Sequence, residues 1–333
     1  MRHFLNTFDW SRSELQAILD DARALRESPL GDELAGKTIA LIFLNNSLRT
    51  RTSFEVGAFQ LGGHAVVLSP SGGMWPLEYA KDAVMLEDAE EHVKEAATVL
   101  SRFCDLIGIR AFPKFEVWEE DRKDLILDAF AEHASVPVIN METITHPCQE
   151  MALALAMQDH LGDLAGKKFL LTWSYHPRPL NSAVANSALV IAAKFGMDVT
   201  LLCPTDEYVL DQRYLDIARA DAAEHGGTVT VTHDIDEGYA GADFVYAKSW
   251  GALPFFGRWS EEKPIRDRFR HFIVDEAKME KTDGALVSHC LPMRRNVIMS
   301  DGVFDGPNCI AYEEAENRLH VQKAIMKHLV AGI

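Results

Sequence analysis

The sequence predicts an α/β protein: two doubly wound parallel-sheet domains joined by helices, with a C-terminal helix returning to the first domain. Three observations predict it. Short apolar runs of strand length alternate with amphipathic stretches of helix length, the pattern of a mainly parallel sheet covered on both faces. The alternation pauses near residue 160 and restarts after GDLAGKK. At 333 residues the chain is also too long for one comfortable core.

Residues 11–26 open with Ser11 and Glu14 at capping-box spacing. Leu15, Ile18, Leu19, Ala22 and Leu25 then recur on one face, so a helix is expected. Strand 38–45, helix 53–61 and strand 65–68 follow. Next come a helix from about residue 90, strand 106–109, helix 119–133 and strand 136–140. Pro147 then opens a helix running to about residue 160. After the restart the order is strand 169–173, helix 181–195, strand 199–202, helix 211–224 and strand 229–232. Further strands are expected at 244–247 and 285–289. Residues 313–330 form a last helix, with Ala315, Leu319, Met326 and Val330 on one side. The expected domains are 1–143 with 316–333, and 144–315. No repeat of solenoid period and no low-complexity tract interrupts this reading.

Composition narrows the function classes. Hydrophobic residues make up 47% and charged residues 25%, as in a soluble globular protein. No apolar run approaches the ~20 residues that span a bilayer, and the N-terminus MRHFLNTFDWSRSE has no signal-peptide core. Five cysteines without C-x-x-C spacing suggest free thiols in a reducing cytoplasm. With 50 acidic against 33 basic side chains, the net charge of −17 disfavours nucleic acid and anionic membranes as partners.

Against that charge, NSLRTRTSF at residues 46–54 places two arginines among four hydroxyl side chains, directly after the apolar run TIALIFL. The segment lies where a strand ends and a helix begins, the edge at which α/β sheets bind ligands. First-turn N–H groups are unpaired there. Ser47, Thr50 and Thr52 add hydroxyls, and Arg49 and Arg51 add planar forks. Together they suit a phosphate better than a solvated helix start. A second match, Gly31 to Thr38, fits the letters of a P-loop, but a helix precedes it and a strand follows. That order aims no helix N-terminus at a phosphate. No G-x-G-x-x-G occurs, and Cys and His lack metal-ligand spacing, so neither cofactor nor metal is expected.

Ser47-Leu48-Arg49-Thr50-Arg51-Thr52 resembles the S-x-R-T-R signature of the aspartate/ornithine carbamoyltransferases. HPCQ at 146–149 and HCLP at 289–292 are similar to two further signatures, in family order across both halves. The resemblance implies a carbamoyl-phosphate domain, a second-substrate domain, and a trimer with active sites at subunit boundaries. In this chemistry an amine attacks the carbonyl carbon of a mixed carbamic–phosphoric anhydride, and phosphate leaves. Charge grows on the carbonyl oxygen, so donors must be aimed there. By resemblance these are Thr50, Arg110 and His146. Phosphate contacts fall to Ser47, Arg49, Thr50 and Arg110, with the Leu48 N–H. Gln149 matches the contact to the carbamoyl NH₂, shared with the Leu291 carbonyl. Cys290 lies beside the reacting groups with a positional role. Arg318 resembles an arginine reaching back to carbamoyl phosphate; helical spacing also permits an exposed pair with Glu314.

Ornithine enzymes carry an aspartate after GADhhY (h, apolar) to receive the α-ammonium. Here GADFVYAKSWGALPFFG puts Lys248 there, and a cation repels an ammonium and attracts a carboxylate. The R-x-Q-x-E-R segment of the aspartate branch is missing. What remains is the branch acting on α-N-acylated ornithine, which FQLGGHAVVL, WPLEYA, VINMETITHPCQE, YHPRPLNSAVANSAL and ENRLHVQKAIM also resemble. Glu142, Asn181, Lys248, Leu291 and Arg294 match contacts to the acylated ornithine. Trp75, on a loop between Gly72 and Leu77, is implied to reach a neighbouring subunit and touch both substrates; the other reading is a core tryptophan. Glu90 stands where acetyl-preferring members carry Glu and succinyl-preferring ones Pro. Like charges about 5 Å apart at an effective dielectric near 20 repel by roughly 3 kcal/mol, enough to disfavour a succinyl carboxylate. Two departures are Ile298, where some members have lysine, and Asn46, where proline is usual. The expected substrates are carbamoyl phosphate and N-acetyl-L-ornithine, used by a cytoplasmic homotrimer. The alternatives are the succinyl or plain ornithine reaction, a non-catalytic binding protein of this fold, or a Rossmann-type dehydrogenase.

Overall fold

The computed structural model describes residues 1–86 and 88–332. The chain divides into two units, each with its own parallel sheet. Residues 1–114, 119–148 and 318–333 form the first, and residues 115–118 and 149–317 the second. The divisions at 148/149 and 317/318 fall inside two continuous helices rather than in linkers, and residues 115–118 group with the second unit.

In the first unit, helix α1 (Arg12–Glu27) carries the expected capping box, with Ser11 and Glu14 bonded reciprocally. Strands β1 (Thr38–Phe43), β2 (His64–Leu68), β5 (Leu106–Arg110) and β6 (Val138–Glu142) align in the order β2-β1-β5-β6, all parallel. The crossovers are α2 (Arg49–Gln60), α3 (Val93–Phe103) and α5 (Leu125–His133). A two-residue parallel pair, β3 (Leu77–Glu78) with β4 (Glu91–His92), precedes α3. Ile42, Ile107, Ile109, Val138, Phe130 and Ala97 belong to one buried cluster of strand and helix side chains. Burying apolar surface of this kind contributes about 25 cal/mol per Å².

Two expected helices are corrected. The helix expected from residue 53 begins at Arg49, so the arginine-hydroxyl segment is itself the first turn. The helix expected at 119–133 is two, α4 (Trp118–Asp121) and α5, because Asp124 adopts a left-handed φ of 53° between them. That conformation cannot continue an α-helix. Thr143 donates to the Asp124 carboxylate at 2.5 Å, which holds the break.

The second unit orders its strands β11-β10-β7-β8-β9, again all parallel. They are β7 (Lys168–Trp173), β8 (Asp198–Leu202), β9 (Thr228–Thr232), β10 (Phe244–Lys248) and β11 (Leu286–Ser288). The helices are α7 (Ala183–Lys194), α8 (Gln212–His225), α9 (Ile235–Tyr239), α10 (Trp259–Arg266), α11 (Glu276–Met279) and α12 (Asp301–Phe304). Every residue of α7 is buried, which explains why its sequence shows apolar content without a polar stripe.

Two helices carry the chain across the division: α6 (Pro147–Leu161) and α13 (Ala311–Ala331). The last part of α13 belongs to the first unit, where it lies on α2. Gly57 makes that approach possible, since an added Cβ would come within 3.1 Å of Lys323 Cγ and 3.4 Å of Met326 Cε.

Candidate active site

Ligands of open α/β sheets bind beyond the carboxyl ends of the strands, where the winding reverses. In the first unit that point lies between β1 and β5, since β2 extends the sheet to one side and β6 to the other. Residues 47–50 follow β1, and Arg110 ends β5, in register with Phe43. The winding order therefore brings the signature segment and Arg110 to one edge, although 59 residues of sequence separate Thr50 from Arg110.

Around this edge the polar groups hold one another. Ser47 Oγ accepts from the Thr50 N–H at 3.1 Å, leaving Leu48 exposed at the bend. Arg318 donates from Nη2 to Thr50 Oγ1 at 2.6 Å, so the Thr50 hydroxyl hydrogen remains for another acceptor. The exposed Arg318–Glu314 pair is therefore not what forms. Both side chains are buried, and Arg318 turns to Thr50 instead. Arg110 pairs with Glu142, donates to the Asn46 carbonyl at 3.4 Å, and lies over the Phe112 ring at 4.6 Å. His146 Nε2 stands 3.5 Å from the same Glu142 carboxylate.

Burial works most strongly against the charged form of Arg318; Cys148 and Glu142 favour that form, and Arg110 and Arg49 oppose it. Two buried cations, Arg110 and Arg318, with Arg49 half-buried beside them, suit a phosphate with several acceptor oxygens. A cavity of about 420 Å³ opens beside the segment, lined by Asn46, Ser47, Leu48, Arg51 and Ser69 among others. Arg51 itself pairs with Glu55 at 2.9 Å.

Trp75 is 63% exposed, which excludes the core reading. It stands two residues before β3, and Glu90 one residue before β4. The Glu90 N–H donates to the Pro76 carbonyl at 3.3 Å, so one small parallel pair holds both segments.

In the second unit the winding reverses between β7 and β10. Lys248 ends β10, in register with Trp173, and its buried ammonium donates to the Ser249 carbonyl at 3.0 Å. Asn181 lies just before α7, where its side-chain oxygen accepts from the Ala183 N–H at 3.1 Å. His176 follows β7. Its Nε2 is 3.0 Å from Arg294 Nε, and its Nδ1 is 2.8 Å from the Arg178 carbonyl and 3.1 Å from the Arg178 backbone nitrogen. Arginine can only donate, so Nε2 accepts and Nδ1 carries the proton. Burial pushes the His176 pKa down against the opposing bond to the Arg178 backbone, and Arg294, Lys248 and Arg266 add to the lowering. The ring is thus held neutral beside a cation.

The loop after β11 contains Cys290 and Leu291, both half-buried. Leu291 has φ 53°, and its N–H donates to His289 Nδ1 at 2.9 Å, which leaves its carbonyl as the group on offer. Ile298 is buried. An apolar side chain there packs inside the unit and makes no polar contact. Gln149, near the start of α6, donates from Nε2 to Glu314 at 2.5 Å.

Three further groups carry less chemistry than their composition suggests. Cys203, His233 and Asp206 have the composition of a catalytic triad, but His233 Nδ1 lies 2.8 Å from the Cys203 carbonyl and 3.8 Å from its sulfur. Burial also raises the Cys203 thiol to about 12, so no thiolate forms at neutral pH. Asp221, Glu224 and His225 bring possible metal ligands within 4.8 Å of one another. Lys194 already neutralises Asp221 at 3.0 Å. The P-loop lookalike at 31–38 leads straight into β1, and Lys37 pairs with Asp105 at 2.9 Å. Among the described residues, no helix is long and apolar enough to cross a membrane.

Sequence reasoning missed Glu314 and His176 as supports. Neither has a local signal, since their partners lie 165 and 118 residues away in the chain.

Comparison with known proteins agrees with this layout. Residues 2–159 match the family model of the aspartate/ornithine carbamoyltransferase carbamoyl-P binding domain, and residues 179–329 that of the Asp/Orn binding domain. The chain is 64% identical over 332 residues to an N-acetylornithine carbamoyltransferase of Xanthomonas campestris pv. campestris, covering 99% of this chain and 98% of that protein. It matches a crystal structure of acetylornithine transcarbamylase complexed with acetylcitrulline with TM-score 0.98 and 64% identity over 99% of both chains. A glutamate-to-proline variant of N-acetyl-L-ornithine transcarbamylase, complexed with carbamyl phosphate and N-succinyl-L-norvaline, matches with the same TM-score of 0.98 and 64% identity over 99% of this chain and 100% of that one.

Proposed function

The chain belongs to the aspartate/ornithine carbamoyltransferase family, and we propose that it transfers the carbamoyl group of carbamoyl phosphate to the δ-amine of N-acetyl-L-ornithine. The products are N-acetyl-L-citrulline and phosphate, a step of arginine biosynthesis. The observation that carries this reading is the first-unit anion site, in which Arg318 holds Thr50 and Arg110 stands at the end of the adjacent strand.

Ser47, the Leu48 N–H, Arg49, Thr50 and Arg318 bind the phosphate. Arg110, Thr50 and His146 donate to the carbonyl oxygen, where charge accumulates as the amine adds. Gln149 and the Leu291 carbonyl accept from the carbamoyl NH₂, and Cys290 shapes the loop. The δ-amine attacks as the free base, the tetrahedral centre collapses, and the C–O bond to phosphate breaks. The added amine nitrogen gives up its surplus proton to the departing phosphate, which leaves as a hydrogen-phosphate dianion paired with arginines. Lys248 and Arg294 take the α-carboxylate of the acylated ornithine, with Asn181 and Glu142 as further contacts. Residues 1–143 with 316–333 serve carbamoyl phosphate, and 144–315 the amine. No cofactor or metal enters this scheme.

The protein acts as a cytoplasmic homotrimer in which Trp75 and Glu90 serve a neighbouring copy's site. Leu48, Phe59, Trp75, Val84 and Leu86 are exposed apolar side chains on the first unit, which supports burial against another copy. Glu90 selects the acetyl substrate by repelling the second carboxylate of a succinyl chain.

The test is a panel of ornithine, N-acetyl-L-ornithine and N-succinyl-L-ornithine, each supplied with carbamoyl phosphate. Ureido product is expected with the acetyl compound, and Glu90→Pro is expected to admit the succinyl one. A wild-type preference for ornithine or its succinyl derivative overturns the substrate assignment.

A further inference from the structure

Glu314 is fully buried, and no contact with either proposed substrate is assigned to it. Its Oε1 accepts from Gln149 Nε2 at 2.5 Å and from the Tyr246 hydroxyl at 2.8 Å, while Oε2 accepts from the Ser288 hydroxyl. The three donors come from α6, β10 and β11, all in the second unit. A buried carboxylate is costly unless such donors compensate it.

The chemistry of the Gln149 contact gives this arrangement a meaning. A glutamine side chain ends in an NH₂ that only donates and an oxygen that only accepts, and either can face a ligand. The Tyr246 and Ser288 hydroxyls both donate to Glu314, so its oxygens act as acceptors and the end of Gln149 that meets them is the NH₂. The oxygen is then the end left for a ligand. A carbamoyl group presents its own NH₂, which needs an acceptor; a turned Gln149 would meet it donor to donor.

We propose that Glu314 is a positioning residue that fixes which way the Gln149 amide faces, and thereby makes the enzyme select a carbamoyl over an acetyl phosphoanhydride. This rests on the reading of Gln149 as the contact to the carbamoyl NH₂. The bond from Ser288 ties the same carboxylate to the strand leading into Cys290 and Leu291. One buried group thus supports both acceptors assigned to that NH₂.

Acetyl phosphate is the probe that isolates this role, since it carries a methyl where carbamoyl phosphate carries the NH₂. Affinities of both are measured on the purified full-length protein. Glu314→Met removes the acceptor at similar length. It is expected to weaken carbamoyl phosphate about tenfold, the worth of one hydrogen bond to a bound group, and to leave acetyl phosphate unchanged. Glu314→Gln can turn its carbonyl oxygen to Gln149, so it is expected to keep the wild-type preference.

Unpaired donors could unfold Glu314→Met. In that event Glu314→Met is combined with Tyr246→Phe and Ser288→Ala, which removes the two hydroxyl donors and keeps the Gln149 amide facing the substituted side chain. The preference should then be lost in the triple variant and kept in Tyr246→Phe/Ser288→Ala. Equal weakening of both phosphates by the Met variants, or a preference that survives in them, overturns the positioning role. Gln149→Ala separates the two layers. If it keeps the preference, the Gln149 assignment itself is wrong; if it loses the preference while the Met variants keep it, only the role of Glu314 fails.

Discussion

His176 should govern how well the enzyme holds acylated ornithine, and pH should reveal it. The ring accepts the Arg294 Nε–H at 3.0 Å, and this bond limits where the guanidinium can go. Arg294 is otherwise exposed, so without the bond its long side chain must be ordered again for each substrate carboxylate. Hydrogen bonds to charged groups contribute about 1.5–3 kcal/mol. The exposure of Arg294 argues for the lower end, so His176→Phe should lower kcat/KM for N-acetyl-L-ornithine about tenfold, mostly through KM. Saturation with carbamoyl phosphate should be unaffected. His176→Gln keeps an oxygen acceptor and should lose much less.

The pH dependence follows from the direction of the shift. The His176 pKa is lowered, chiefly by burial and then by Arg294, Lys248 and Arg266. The neutral ring therefore persists below pH 6.5, and the Arg294 bond is lost as pH falls through the lowered pKa. Below it, Nε2–H faces the guanidinium, donor against donor and cation against cation. The δ-ammonium of the substrate also titrates, but it does so identically for every variant. The informative quantity is thus the wild-type kcat/KM divided by that of His176→Gln. This ratio should be constant above pH 6.5 and fall at acid pH. A flat ratio throughout, or a Gln variant as impaired as Phe at neutral pH, refutes the reasoning.

Arg49→Ala should bind carbamoyl phosphate ten- to a hundredfold more weakly, from about 1.5–3 kcal/mol per charge-assisted bond; near-normal saturation in the folded variant removes the phosphate role. At carbamoyl phosphate concentrations too low to support Arg49→Ala, mixing it with Trp75→Ala subunits should restore activity through hybrid sites, and demonstrated subunit exchange without recovery rejects the shared site. Lys323 is buried and donates to the Leu25 and Pro29 carbonyls at 3.0 and 3.1 Å, with its pKa lowered by burial. The unfolded chain then holds a proton that the native state releases, so wild type should gain stability relative to Lys323→Met as pH rises toward 10.5. Urea unfolding between pH 8 and 10 measures this difference, and a constant or shrinking one contradicts it.

Much of the frame was legible because strand and helix periods are local properties. The alternation located the parallel strands of both sheets, and the signature segment announced an anion by its charge against an acidic background. The errors share a cause in local backbone conformation. Nothing in EEDRKDLILD declares that Asp124 turns left-handed, because the bond from Thr143 that holds it comes from 19 residues further on. The start of α2 was set late because arginine, threonine and serine read as loop, whereas Thr50 is buried by the docking of α13. Arg318 illustrates the same limit. Helical spacing offered Glu314 as its partner, and only the fold could show each side chain engaged elsewhere.

These distant partners follow one rule. Thr50, His176 and Gln149 each have one end that a second group occupies, and that contact fixes what the other end can do. Thr50 accepts from Arg318 and keeps its hydrogen to donate. His176 accepts from Arg294 and so is held as the neutral tautomer. Gln149 gives its NH₂ to Glu314 and keeps its oxygen. Motifs record only the residue types that touch the ligand, and those types are chemically ambiguous, since hydroxyls, imidazoles and amides can each donate or accept. The ambiguity is removed by arginines and a carboxylate, whose hydrogen-bonding sense cannot reverse. Those partners lie 118 to 268 residues away in sequence. The polarity of such a site is therefore a property of the folded chain, and exchanging a fixed-sense partner should change selectivity more than it changes stability.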